Sequence, residues 1–252
     1  MVTKVPQYQN EGEGDENEEE EQDLHKQHFI QTVQALQIIK QWQAYPNHDK
    51  RLEVPSAQIN NSGKKLLIFD MDETLIHCVD DIEQQNPEVI LEIDFSDDEE
   101  TVYAGINLRP YIIECLEEAK KNFHVIVFTA SQQTYADAIL DYIDPNNTLF
   151  EARFYRQHCF LTEEGYYVKD LRIFADWRLC DIVIVDNSVF SFAFQIDNGI
   201  PIIPFYNDKS DEEMLHLVYY LNQLATVEDV REQNRQAFEL FKLGQSNQEE
   251  GV

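Results

Sequence analysis

The run Leu66-Leu67-Ile68-Phe69 ends abruptly in Asp70-Met71-Asp72-Glu73-Thr74, and this junction limits the possible fold more than any other stretch of the chain. Four consecutive apolar residues suit a strand buried on both faces of a parallel sheet. Two comparable runs follow. Phe123 to Phe128 ends at Thr129, and Asp181 to Val185 ends at Asp186-Asn187. Between them, Arg109-Pro110 opens a helix with Ile112, Ile113, Leu116 and Ala119 as its apolar stripe, proline being suited to a first helical turn. Residues 132–143 read as another helix, stopped by Asp144-Pro145-Asn146-Asn147. Apolar strands alternating with helices predict an α/β fold, a mainly parallel sheet flanked by helices.

The remaining segments fit around that frame. Val89 to Ile93 and Thr101 to Tyr103 flank the turn-like Ser96-Asp97-Asp98-Glu99, which predicts a small β-hairpin insertion at about residues 80–106. Ala152 to Leu161 and Tyr166 to Val168 read as short strands, and isoleucines around Pro201 suggest one more. Two closing helices are expected at about 209–224 and 226–243, with Thr226-Val227-Glu228-Asp229 capping the second. Upstream, Phe29, Val33, Leu36, Ile39 and Trp42 recur at helical spacing, predicting an amphipathic helix over 28–44 that ends before Pro46. Glu11 to Asp23 is almost entirely acidic or glycine, so residues 1–25 are expected to be a disordered acidic tail. The organisation is then a tail at 1–25, a helix and linker at 26–63, one domain at 64–230, and a C-terminal helix and tail at 231–252.

Charge narrows the function classes. Lys and Arg number 19 against 48 Asp and Glu, a formal charge of −29. Such a surface disfavours nucleic acid and anionic membrane and fits basic protein partners or substrates. The four cysteines, Cys78, Cys115, Cys159 and Cys180, form no C-x-x-C pair. No stretch resembles a signal peptide or reaches the 18 or so apolar residues of a membrane span. The expectation is a soluble, reduced protein of the nucleus or cytoplasm.

Three strand ends carry polar residues that can meet at one site, because open α/β sheets do their chemistry beyond the carboxyl ends of their strands. The first delivers Asp70 and Asp72, the second Thr129, the third Asp186 and Asn187, with Lys169 following Tyr167-Val168. Taken singly, an aspartate after a strand is most often a cap or turn residue. Together and in this order they suggest phosphate chemistry. Mg2+ prefers oxygen ligands and keeps several waters, so Asp70, the main-chain carbonyl of Asp72 and Asn187, with Asp186 close by, suffice to hold it. The cation and Lys169 would offset repulsion between a phosphate dianion and a carboxylate nucleophile. Asp70 can then attack phosphorus, Asp72 can act as general acid and base, and the Thr129 hydroxyl can donate to a phosphoryl oxygen. Thr74 is expected to fix the turn.

Asp70-Met71-Asp72-Glu73-Thr74, Phe128-Thr129-Ala130-Ser131, Tyr167-Val168-Lys169-Asp170-Leu171 and Val185-Asp186-Asn187-Ser188 resemble the four motifs of the haloacid dehalogenase superfamily. Their order and spacing resemble its branch of small C-terminal-domain phosphatases, the NLI-interacting-factor-like family. Arg109-Pro110, Tyr135-Ala136-Asp137 and Arg156-Gln157-His158-Cys159 resemble the family's connecting segments, the last in the manner of its Dullard-type members. The resemblance covers about residues 64–230. It implies a Mg2+-dependent protein serine/threonine phosphatase with an aspartyl-phosphate intermediate. In that reading Asp70, Asp72, Thr129 and Lys169 are catalytic, and Asp70, Asp72, Asp186 and Asn187 form the metal site. Two departures stand out. Val189 occupies the place where the family usually has proline, which should alter a loop rather than the metal site. The loop Cys78-Val79-Asp80-Asp81-Ile82 lacks the aromatic residue that members gripping a substrate proline use.

Two other kinds of protein would use such residues differently. A non-catalytic, protein-binding adaptor on the same fold would have degraded motifs, whereas the Asp70/Asp72 pair and Lys169 are intact here. A response-regulator receiver would place its lysine after the last such strand, whereas Lys169 precedes Asp186.

Overall fold

The three apolar runs form neighbouring strands at the centre of one parallel sheet. The structure, a computed structural model, describes residues 13–42, 63–95 and 101–244. In chain order its elements are α1 (Glu13–Ile39), β1 (Lys65–Phe69), β2 (Ile76–Cys78), α2 (Ile82–Gln85), β3 (Val89–Asp94), β4 (Thr101–Leu108), α3 (Ile112–Asn122) and β5 (Phe123–Phe128). Then come α4 (Gln133–Ile143), β6 (Ala152–Phe154), β7 (Phe160–Leu161), β8 (Tyr167–Val168), β9 (Ile182–Asp186), β10 (Gly199–Pro201), α5 (Glu213–Leu224), α6 (Val230–Phe238) and α7 (Leu240–Leu243). The main sheet runs β10-β9-β1-β5-β6, and every pair in it is parallel. From β1 the chain moves out through β5 to β6, then returns to the other side for β9 and β10. That reversal opens a crevice at the carboxyl end of β1.

Alternation along each strand divides the core between the two faces of the sheet. Leu67, Phe69, Val125, Val127, Val183 and Val185 pack with the buried residues of α3, α4 and α5. Leu66, Ile68, Ile126, Phe128, Ile182 and Ile184 face Ala35 and Leu36 of α1 and Leu240 of α7. Both faces are therefore covered, which is why these strands read as unbroken apolar runs. Pro201 lies on the edge strand β10, where a missing amide donor is tolerated. Gly199 begins that strand against the Phe192 ring, where an added Cβ would sit 2.1 Å from a ring carbon.

Several expectations need correction. α1 begins at Glu13, so residues 13–25, expected as disordered tail, are helical, and it ends at Ile39 rather than 44. Glutamate is a good helix former, and acidic residues in a first turn favour the helix dipole. The buried stripe of α1 is His28, Thr32, Ala35 and Leu36, and Phe29 is 53% exposed. Polar side chains that find tertiary partners enter the stripe, and apolar periodicity does not report them. The expected hairpin is present as the antiparallel pair β3 and β4, and β2 adds a third strand in the order β2-β4-β3, because Ile76–Cys78 pairs with Ile106–Leu108. The expected strand from Ala152 to Leu161 is broken by a 3-10 turn at Arg156–His158. The last predicted helix is two helices. Asp229 caps the first through the Arg231 amide, and Glu239 separates them in left-handed backbone, φ 49°. The turn Ser96–Glu99, the helix stop before Pro46, and the tails at 1–12 and 245–252 lie outside the described residues.

Candidate active site

Asp70 follows the last residue of β1, and its amide donates to the Val185 carbonyl of β9 at 2.9 Å, so the ladder itself fixes its backbone. Beyond it the chain turns sharply. Glu73 takes left-handed backbone, φ 55°, and the Leu75 amide returns to the Met71 carbonyl at 2.8 Å. This turn brings the Thr74 hydroxyl to donate to Asp70 Oδ2 at 3.2 Å, so Thr74 holds the carboxylate as well as the turn. Arg109, buried at the base of the insertion, braces the same turn. It donates to the Thr74 carbonyl at 3.1 Å and forks onto Asp211 at 3.0 and 2.8 Å.

Lys169 arrives from β8 and Asp186 from the end of β9. The Lys169 ammonium binds Asp70 Oδ1 and, at 2.6 Å, Asp186 Oδ2. Lys169 and Asp186 are each 1% exposed. Burial alone would lower the pKa of Lys169, but the charges on Asp186 and Asp70 outweigh it and keep the ammonium protonated. Burial and the nearby Asp70 raise the pKa of Asp186 against the pull of Lys169. The Ser188 amide donates to the other Asp186 oxygen at 2.8 Å.

Asp72 has a different setting. Its Oδ2 accepts from the Ser131 hydroxyl at 2.6 Å and from Thr129 at 3.4 Å, and its Oδ1 accepts from the Tyr135 hydroxyl at 3.0 Å. Thr129 follows β5, adjacent to β1, and its own hydroxyl accepts from the Ser131 amide at 3.0 Å. Burial first, then the Asp70 charge, raises the pKa of Asp72. Glu73 beside it is pushed up to about 7 by burial and by Asp72 and Asp70. Asn187 is half-buried in the loop after β9, where its main-chain carbonyl meets His28 Nε2 of α1 at 2.8 Å.

The structure thus joins Asp70, Lys169 and Asp186 in one cluster and Asp72 with Thr129 in a second, and it sets Asn187 directly after Asp186. Sequence reasoning assigned no role to Ser131, Tyr135 or His28. Ser131 and Tyr135 stood inside quoted motifs, but nothing local marks a hydroxyl for a carboxylate 59 or 63 residues away. Val189 is buried in the core on the α1 face, consistent with a change confined to a loop.

The donor set suits a hard cation. Lys169 bonds two of the three carboxylates, Asp70 and Asp186, and burial first, then the Asp70 charge, raises the pKa values of Asp72 and Asp186. Among the described residues no three His, Cys, Asp or Glu side chains form a closed metal cage. Mg2+ needs none, since it binds through one or two carboxylates and keeps waters.

A parallel sheet with this crevice, its Asp-Lys-Asp cluster and an antiparallel insertion directly after the first strand defines an α/β protein of the haloacid dehalogenase type. The solved structure of Fcp1, described as an essential RNA polymerase II CTD phosphatase, shares the fold. It superposes with a TM-score of 0.50 at 17% identity, covering 78% of this chain and 57% of that one. The chain belongs to the NLI interacting factor-like phosphatase family, whose model matches residues 65–231. It is 42% identical over 184 residues to CTD small phosphatase-like protein 2 of Dictyostelium discoideum, covering 73% of this chain and 31% of that protein. To CTD small phosphatase-like protein 3 of Caenorhabditis elegans it is 38% identical, covering 69% of this chain and 59% of the relative. CTD nuclear envelope phosphatase 1B of Danio rerio is 36% identical, with 69% and 72% covered. The chain therefore spans less than two thirds of the length of the first two relatives.

Proposed function

We propose that the chain is a Mg2+-dependent protein serine/threonine phosphatase working through an aspartyl-phosphate on Asp70. The observation that carries this reading is the pair of unlike aspartates at one strand end. Asp70 shares the Lys169 ammonium with Asp186, whereas Asp72 is held by uncharged hydroxyls. Family membership and relatives named as phosphatases support it.

An oxygen of Asp70, its carboxylate oriented by Lys169 and Thr74, attacks phosphorus as the bond to the serine or threonine oxygen breaks. Asp72 delivers a proton to that leaving oxygen. It later takes one from the water that attacks the acyl phosphate, releasing inorganic phosphate and restoring Asp70. Its raised pKa, set by burial and then by the Asp70 charge, favours the protonated form that a general acid needs. Lys169 and the Thr129 hydroxyl face the charge on the phosphoryl oxygens. Asp70, the Asp72 main-chain carbonyl and Asn187, with Asp186 close by, would hold Mg2+, which when bound neutralises charge on the phosphoryl group.

The acidic chain fits phosphoproteins with basic segments. Relatives named for the nuclear envelope support a nuclear or adjacent cytoplasmic setting, and no described helix is long and apolar enough to cross a membrane. The test is hydrolysis of p-nitrophenyl phosphate and phosphoserine peptides by purified protein with and without Mg2+. Turnover that requires the metal is expected. A folded, metal-supplied protein without activity would return the adaptor reading to first place.

A further inference from the structure

α1 lies outside the segment matched by the family model, yet it holds the loop that carries Asn187 at two points. His28 Nε2 bonds the Asn187 carbonyl at 2.8 Å. Trp42, just past the helix, stacks on Phe190 with centroids 6.0 Å apart, and Phe190 stacks on Tyr166 at 4.0 Å. Bounded by both anchors is a cleft of about 370 Å3. Gln31, Gln34 and Ile38 of α1 form one wall, and Tyr166, Phe190 and Tyr206 face them. Asn187 and Ser188, the two residues directly after Asp186, also line it.

Its chemistry is unlike that of the molecule around it. Charged residues make up 27% of the chain, yet no Asp, Glu, Lys or Arg lines this cleft. The aromatic walls offer stacking surface, and the two glutamine amides offer both donors and acceptors. Its size falls within the range of about 300–1,000 Å3 that ligand pockets occupy. A charged side chain placed there would lose water without an opposite charge in the lining itself to bond, which is costly.

We infer that this cleft is a specificity subsite that takes an uncharged stretch of the phosphoprotein beside its phosphorylated residue. An aromatic or aliphatic side chain lies against Tyr166, Phe190 and Tyr206, and main-chain groups of the substrate bond Gln31 and Gln34. The inference rests on the phosphatase reading. It separates two scales of recognition: the acidic surface draws basic proteins from a distance, and the cleft selects uncharged residues next to the phosphate.

The full chain would be compared with Gln34→Trp and Ile38→Trp, two α1 substitutions at partly exposed positions that fill the cleft. Substrates would be p-nitrophenyl phosphate and phosphoserine peptides differing only in whether the flanking residues are Leu and Tyr, Lys, or Glu. For the wild type, kcat/KM should favour the Leu/Tyr peptide over both charged ones by about tenfold. Both tryptophan variants should erase that preference by raising KM, with p-nitrophenyl phosphate turnover within about twofold of wild type and melting unchanged. Equal rates on all three peptides by the wild type would overturn the subsite. So would variants that slow p-nitrophenyl phosphate as much as peptide. Variants that keep the flank preference would also overturn it. Lack of turnover on every substrate, p-nitrophenyl phosphate included, would break the phosphatase reading and the subsite with it.

Discussion

Asp70 and Asp72 are the same residue type two positions apart, yet the molecule treats them as different chemical groups. Asp70 sits on the side of the crevice sealed by β9, sharing the Lys169 ammonium with Asp186. Asp72 sits on the β5 side, and its partners Thr129, Ser131 and Tyr135 are neutral hydroxyls. The Lys169 ammonium orients the Asp70 carboxylate as a nucleophile, whereas burial and then the Asp70 charge favour the protonated form of Asp72 against the pull of its hydroxyl donors. The difference arises from which neighbouring strand each aspartate faces.

The sharpest way to break this comparison is to neutralise each aspartate in turn. Asp70→Asn should lower kcat for p-nitrophenyl phosphate by at least about 10^4-fold, the scale seen when a catalytic nucleophile is removed. Residual turnover within tenfold of wild type would take the nucleophile role from Asp70. Lys169→Met should destabilise the fold by about 3–5 kcal/mol, because it leaves two carboxylates buried without their cation. Urea unfolding would read this, and an unchanged midpoint would show that the cluster is not held by Lys169. In the phosphoryl-transfer step, read as single-turnover release of the leaving group, Asp72→Asn should depend on that group, costing about 10^2–10^4-fold on phosphoserine peptide and far less on p-nitrophenyl phosphate, whose leaving oxygen needs little protonation. Equal losses on both substrates would remove the general-acid assignment.

A third aspartate calibrates the pair. Asp144, 2% exposed at the end of α4, accepts from the amides of Thr148 and Leu149, both at 2.7 Å, and of Phe150 at 3.1 Å. Burial pushes its pKa up, but these amides outweigh it and hold the pKa below the ordinary value. Its folded pKa therefore lies below its unfolded one. The stabilisation is full above the unfolded pKa of about 3.9 and is lost as pH falls through the folded value. Asp144→Asn should cost about 1–3 kcal/mol at pH 7 and leave a shallower loss of stability on acidification below pH 4, with turnover of the folded protein unchanged. Thermal melts across that pH range would check it, and parallel wild-type and variant curves would contradict the linkage.

The parts of the molecule legible in the sequence are those with local signals. β1, β5 and β9 announce themselves as apolar runs because each is buried on both faces, and Asp70, Thr129 and Asp186 are marked by standing at or just past their ends. β2 went unrecognised because three residues give too short a pattern, and its strand character comes from pairing with β4. The buried face of α1 departs from its apolar stripe for a related reason. Phe29 looked like part of its buried face, but His28 occupies it by bonding Asn187, 159 residues along the chain.

By itself, then, the sequence determined the α/β order of the chain, the motifs that mark its family, and which aspartates, lysine and threonine belong to one crevice. Hydrophobic periodicity and strand-end position are properties of neighbouring residues and survive in a one-dimensional reading. Only the tertiary structure decided that Asp70 shares a buried ammonium with Asp186, that Asp72 rests on Ser131 and Tyr135, and that His28 of α1 bonds the Asn187 carbonyl. Those contacts join residues 17 to 159 positions apart. Their strengths depend on burial and on the charges nearby, which exist only once the strands lie side by side.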